Sequence, residues 1–242
     1  MSYAEITFGD RNPIKRWLQR QRLVAAAELA GRVEKFPQVI CDFGAGNGEL
    51  CKVLAQRYET ARLVCYEPAP KLLAEARENL KAVSRVEFFE DIHGIAPGTV
   101  DLVLCLEVFE HLPPEETVDA LRRISALLER GGTIIIGVPI EVGLPALYKG
   151  LFRMSRRYGA FDATPKNVAI SFLGQPPQKR PIAELAPGLR WYFDHVGFDF
   201  RAFKEILGQY FESIEVSASP VAALGTWLMP EVYFVGTKSI ES

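Results

Sequence analysis

The chain has 242 residues, 48% of them hydrophobic and 24% charged, with a formal net charge of −2. That length suits one large α/β domain or one domain with an insertion, and the apolar share is enough for a substantial core. No apolar run reaches the roughly 20 residues needed to span a bilayer, the near-neutral charge does not point to nucleic acid, and four cysteines without a C-x-x-C pair argue against a zinc or disulfide framework.

Met1 to Asp10 is mixed and polar, with no signal-peptide core, which predicts a cytoplasmic protein. Residues 12–30 read as a helix with Pro13 in its first turn. Strands are predicted near 38–43, 61–66, 85–89, 100–106 and 132–138, with helices near 48–58, 70–82 and 114–129. Pro113 and Pro114 mark the start of the last of these helices, and Gly131-Gly132 its end. Strands alternating with helices imply a doubly wound, mostly parallel sheet. Cys41, Cys51, Cys65 and Cys105 fall inside these elements and read as buried, reduced thiols.

The alternation then breaks. A Pro-, Gly- and Arg-rich insertion runs over 142–195, with one helix-like piece at 144–158. A helix near 199–210 and strands near 212–217 and 231–237 complete a single domain covering 1–242. The insertion follows the fifth strand, whose C-terminal end faces the ligand crevice of such sheets. It is placed to cover an acceptor there.

The most informative stretch is Val39-Ile40-Cys41-Asp42-Phe43-Gly44-Ala45-Gly46-Asn47-Gly48-Glu49. An apolar strand ends in an acid, three glycines alternate, and a helix begins. Glycines let a ligand approach the backbone, and the free N–H groups of the new helix favour an anionic group. Asp42 can accept from a cation or hydroxyl of the same ligand. Glu67, with Pro68 after it, ends the second strand, where a carboxylate can receive both hydroxyls of a ribose. After the third strand, Asp91 can accept from an adenine amino group while Ile92 packs on the ring. A nicotinamide dinucleotide would call for G-x-G-x-x-G and, for hydride chemistry, a Tyr-x-x-x-Lys pair, which is missing. The plainer alternative is that these acids cap and solvate loops.

An acid and glycines after the first strand, with acids after the second and third, resemble the class I S-adenosylmethionine-dependent methyltransferases over about 36–139. The resemblance implies a seven-stranded Rossmann-like sheet with its last strand antiparallel. It also implies S-adenosyl-L-methionine as cofactor, held by Asp42, Gly44, Ala45, Gly46, Gly48, Glu67, Pro68, Asp91, Ile92 and Glu107.

Glu107-Val108-Phe109-Glu110-His111-Leu112 resembles the E-x-x-E-H-[LV] stretch of the branch containing ubiquinone-type O-methyltransferases. It implies methyl transfer to oxygen of a small-molecule or lipid-linked acceptor. An imidazole in water titrates near neutrality, so His111 is the first candidate base, with Glu110 to orient it; the same two residues can instead cap and solvate a loop. His195, in Phe193-Asp194-His195-Val196-Gly197-Phe198, either shapes the acceptor pocket or simply packs. With Glu107, Glu110 and His111 it also resembles the metal site of small-RNA 2′-O-methyltransferases, but the neighbours match loosely, and the expectation is no metal. A non-catalytic cofactor-binding subunit is the remaining rival. His93 is expected to be exposed. The 144–158 piece mixes apolar and basic residues: its arginines are expected to be wet, and it offers a peripheral contact to a membrane surface. The 12–30 helix, with Lys15, Arg16, Trp17, Arg20 and Arg22, can act as a lid or as a solvated face.

Overall fold

The computed structural model describes residues 13–240 except Pro187, and no side chains at 13–16, 18, 185 and 186. Asn12 and the side chains of Lys15 and Arg16 therefore lie outside the described residues.

Helix α1 (Pro13–Ala30) precedes strand β1 (Val39–Phe43), then α2 (Glu49–Arg57), β2 (Arg62–Tyr66), α3 (Pro70–Asn79), β3 (Val86–Phe89), β4 (Val100–Leu106), α4 (Pro114–Leu127) and β5 (Leu128–Pro139). The insertion carries α5 (Leu144–Arg157), α6 (Pro165–Phe172) and a hairpin of β6 (Ile182–Ala186) and β7 (Leu189–Tyr192). Helix α7 (Phe200–Leu207), β8 (Glu212–Ser219) and β9 (Glu231–Thr237) close the fold.

The seven-stranded sheet has the order β3-β2-β1-β4-β5-β9-β8. β9 lies antiparallel between β5 and β8, and the pairings among β1 to β5 are parallel. Neighbouring side chains of one strand serve opposite layers. Ile134 and Ile136 of β5 join Phe109, Leu121, Ile124 and Phe203 on one face. Ile135 between them joins Ala26, Leu54, Leu63 and Tyr233 on the other. Central strands covered on both faces read as apolar runs, which is why β1 and β4 were legible. The chain leaves β1 toward β2 and β3 on one side and returns to β4 and β5 on the other. The crevice this reversal opens lies beyond the C-terminal ends of β1 and β4.

Two expectations are corrected. Helix α4 stops at Leu127 and β5 starts at once, so Gly131-Gly132 sits inside a strand rather than ending a helix. A register shift between Val100 and Leu102 accommodates it. A Cβ at Gly132 would lie 3.0 Å from the Glu129 carbonyl and from Leu128, a crowded bend that glycine permits. The insertion, read as holding one helix, also holds α6 and the β6–β7 hairpin; its prolines and glycines punctuate short elements rather than one loop. Among the described residues, no helix is long and apolar enough to cross a membrane.

Candidate active site

A cleft of about 1530 Å³ opens over the ends of β1, β2 and β4. Single ligand pockets are roughly 300–1,000 Å³, so it has room for a nucleotide-sized molecule and a second ligand.

Its inner half is built on the β1–α2 loop. Gly44, Gly46 and Gly48 all have positive φ, at 76°, 55° and 81°. A Cβ at Gly44 would lie 2.5 Å from Val108, so the loop can pass beneath the residues after β4 only without a side chain. Gly46 donates its N–H to Glu67 Oε2 at 2.8 Å, and Ala69 donates to Glu67 Oε1 at 2.8 Å. These bonds fix the carboxylate at the tip of β2 and leave lone pairs for further donors. Burial raises the Glu67 pKa against those two bonds. Asp42 is 3% exposed, and the Cys51 thiol donates to its Oδ2 at 3.4 Å. Burial first, then the Glu67 charge, pushes its pKa up to about 7. A carboxyl so poorly compensated suits a cationic ligand. Asp91 is exposed at the rim, Ile92 is buried beside it, and the exposed His93 ring meets Arg123 at 3.0 Å. These residues fit an adenosyl sulfonium: a backbone cradle, a diol acceptor and a buried acid.

The outer half gathers residues from β4, the insertion and α1. Glu107 has φ 56°, uncommon for a residue with a Cβ. Its Oε2 lies 2.8 Å from Arg22 Nη1, and Arg22 also bonds Glu231 at the start of β9. Burial pushes the Glu107 pKa up to about 7 despite Arg22. Glu110 is fully buried, and neither carboxylate oxygen has a hydrogen-bond partner. Burial, then the nearby Glu107, raises its pKa well above the carboxylate range. His111 Nε2 is 3.7 Å from Glu110 Oε1. Its Nδ1 is 2.7 Å from the Tyr192 carbonyl oxygen, its ring stacks on Trp191 at 4.2 Å, and the His195 ring stands edge-on at 4.7 Å. Burial pulls the His111 pKa down to about 4, and burial, then the neighbouring His111, holds the His195 pKa well below the usual imidazole range. Both imidazoles are therefore neutral near pH 7.

The cleft walls include Asp42, Gly44, Ala45, Gly46, Glu67, Pro68, Asp91, Ile92, Glu107, His111 and His195. Gly48 and Glu110 do not line it. Gly48 instead caps α2, where a Cβ would lie 2.7 Å from Leu80. Ligand atoms of Glu110, His111 and His195 lie within 4.8 Å of one another, a grouping that could hold a metal ion. Glu107, the fourth member of that sequence pattern, points to Arg22.

Sequence reasoning missed Glu141, Trp191 and Glu231. Glu141 is buried at the tip of β5 and takes Lys149 Nζ at 2.9 Å and both ends of the Arg153 guanidinium. Burial alone would raise its pKa, but Lys149 and Arg153 hold it below the usual range. The α5 arginines are thus not all wet: Arg153 is 15% exposed because a buried carboxylate needs its charge. Glu141's place at the C-terminal end of a central strand was the available signal. Trp191 had none.

A family described as methyltransferase domain matches residues 41–134. Over 113 residues the chain is 30% identical to the ubiquinone biosynthesis O-methyltransferase of Xanthomonas campestris pv. campestris (strain B100), covering 45% of this chain and 46% of that protein. It is 29% identical over 191 residues to trans-aconitate 2-methyltransferase of Azoarcus sp. (strain BH72), covering 78% of this chain and 66% of that protein. The chain thus spans about half the length of the curated ubiquinone relatives it matches. The magnesium protoporphyrin IX methyltransferase from Synechocystis PCC 6803, solved with bound SAH, shares the fold, with a TM-score of 0.61 at 17% identity over 97% of this chain and 92% of that one. The matched domain, these relatives and the shared fold together support a class I S-adenosylmethionine-dependent methyltransferase.

Proposed function

We propose that this protein transfers a methyl group from S-adenosylmethionine to an oxygen of a small-molecule or lipid-linked acceptor. The observation that carries the reading is the buried, under-compensated Asp42 beside a glycine cradle and a fixed Glu67, with His111 facing the same cleft.

Asp42 and the 44–47 backbone would hold the methionine part, Glu67 the ribose hydroxyls, and Asp91 and Ile92 the adenine. The cofactor supplies a methyl group on sulfonium, already a good leaving group. The chain must then align the acceptor and take its proton. A carbonyl oxygen only accepts, so the contact with Tyr192 puts the His111 proton on Nδ1 and leaves Nε2 as the base. The imidazolium formed there would sit beside Glu110 at 3.7 Å.

The acceptor side supports an uncharged molecule with an apolar body. Ala183, Leu189, Trp191 and Phe193 of the hairpin region face it, with Leu112. Of the lining cations, Arg22 is paired with Glu107 and Glu231, Arg123 is paired with Asp119, and Lys71 stands on α3 at the nucleotide side. A polycarboxylate, the acceptor class named for the Azoarcus relative, would find little matching charge there. In this reading the 142–195 insertion covers the acceptor and α1 closes the rim through Gln19, Arg22 and Leu23. The outer face of α5 would meet a membrane that presents a lipid-linked acceptor.

The test is a panel of hydroxylated aromatic acceptors with isotope-labelled methyl donor and mass-spectrometric product identification. Methyl ethers are the expected products. Cofactor binding without turnover on any acceptor would favour a silent binding subunit.

One observation favours a second reading. Glu110, His111 and His195 form a neutral donor set around a buried carboxyl with no partner, and a divalent ion there could hold the acceptor oxygen. Loss of activity in chelator, restored by added metal, would select it. A small-RNA acceptor is disfavoured by the net charge of −2.

A further inference from the structure

Arg180 has no part in the chemistry above. It lies on the segment between α6 and β6, yet its guanidinium reaches into the ground behind both imidazoles. Nη2 donates to the Glu110 carbonyl oxygen at 2.6 Å and also to that of Asp194. Glu110 immediately precedes His111, and Asp194 immediately precedes His195. The guanidinium carbon also stands 4.0 Å from the centroid of the Tyr192 ring. Tyr192 is the residue whose carbonyl takes the His111 Nδ1 proton. One side chain therefore touches the peptide ahead of each imidazole and the residue that orients one of them.

The chain also makes room for this side chain. Gly197 has φ +106°, and a Cβ there would lie 2.5 Å from Arg180 Cδ, 2.6 Å from Cγ and 2.7 Å from the Pro177 carbonyl. Only glycine lets the Arg180 stem pass. His111 and His195 come from segments far apart in sequence, and their rings stand at 78° with centroids 4.7 Å apart.

We propose that Arg180 is a positioning residue that sets the spacing and tilt of His111 and His195 by tying together the backbones on which they ride. The proposal rests on the reading that this pair works on the acceptor, and it holds whether the pair moves a proton or binds a metal. A charged donor shared by two carbonyls is stronger than a neutral one, and its planar cation packs on the Tyr192 ring. Neither is available from an apolar residue of the same length.

The test reads the imidazoles directly. The chain contains three histidines, so nitrogen–proton correlation spectra resolve His111, His195 and His93 in the full-length protein. Wild type is expected to show His111 protonated on Nδ1 with a slowly exchanging proton. Arg180→Met should lose that proton signal and shift His195, leaving His93 in place as the internal control. Arg180→Lys, whose ammonium keeps the charge but not the planar stack, should shift both signals by less. Folded Arg180→Met with wild-type signals at both histidines would overturn the proposal. If Arg180→Met does not fold, Arg180→Lys decides: both signals moved supports the proposal, and both unmoved overturns it. Failure of the functional reading is separate. It would appear as full methyl transfer by His111→Ala, which leaves the spectra of the Arg180 variants unaffected.

Discussion

The ring of His111 lies flat on that of Trp191, 4.2 Å away and tilted by 9°, so the candidate base is held by a side chain of the insertion rather than of the sheet. Seating and reactivity thus come from different parts of the chain. His111→Ala should lower methyl transfer by about 10²–10⁴-fold while leaving cofactor affinity unchanged. Trp191→Ala should lower transfer less and raise KM for the acceptor, since it removes both a wall and the support of the ring. Steady-state kinetics with calorimetry separates the two.

Cofactor binding should depend on pH through Asp42. Burial holds its pKa near 7 when no ligand is bound. A cation beside it favours the charged form, so binding lowers the pKa and releases a proton. Affinity for S-adenosylmethionine should therefore rise with pH, by roughly tenfold from pH 6 to pH 8, and level off above. Asp42→Asn should bind weakly with a flat profile. Titration calorimetry in buffers of different ionisation enthalpy reads the proton release.

The loop glycines should differ in what they do. Gly48→Ala places a Cβ 2.7 Å from Leu80 at φ +81°, and should cost about 2–4 kcal/mol from left-handed strain and overpacking together. Gly98→Ala, at φ +67° with open space around it, should cost only about 1–2 kcal/mol. Urea unfolding of both measures the difference.

Glu141 should matter mainly to the fold. Glu141→Ala leaves Lys149 and Arg153 without their buried partner and should destabilise by about 3–5 kcal/mol. Thermal unfolding with and without cofactor checks this.

Membrane contact through α5 makes a sharp prediction. Leu151 and Phe152 are exposed, as are Leu224 and Trp227 on the 221–228 connection, to which Tyr148 is tied by its bond to the Leu228 carbonyl. Helix α5 has no acidic residue and carries Arg156 and Arg157 in its last turn. Co-sedimentation with vesicles containing anionic lipid should exceed that with neutral vesicles. Phe152→Glu with Trp227→Glu should abolish it; equal sedimentation of wild type and variant would contradict the contact.

What the sequence made legible was local. Asp42, the glycines, Glu67 and Asp91 each sit at the end of an apolar strand, and strand ends are visible as a change from apolar to polar residues. Glu110 and His111 were visible for the same reason, though not that Glu110 would be sealed behind the cleft. Glu141 also stands at a strand end, but its partners Lys149 and Arg153 lie in α5, where they read as surface cations. Trp191 belongs to a four-residue strand and Arg180 to the segment before the hairpin, neither long enough to show a period. Their roles exist only once the insertion folds back on the sheet, and no local pattern carries that information.

Titration calorimetry of S-adenosylmethionine into wild type, Asp42→Ala and Glu67→Ala tests the central claim most directly. Wild type should bind with a stoichiometry of one. Each variant should lose about 1–3 kcal/mol, roughly 5- to 150-fold in Kd, by leaving ligand donors unpaired. Unchanged affinity in both variants, with the fold intact, would contradict the placement of the cofactor at the ends of β1 and β2.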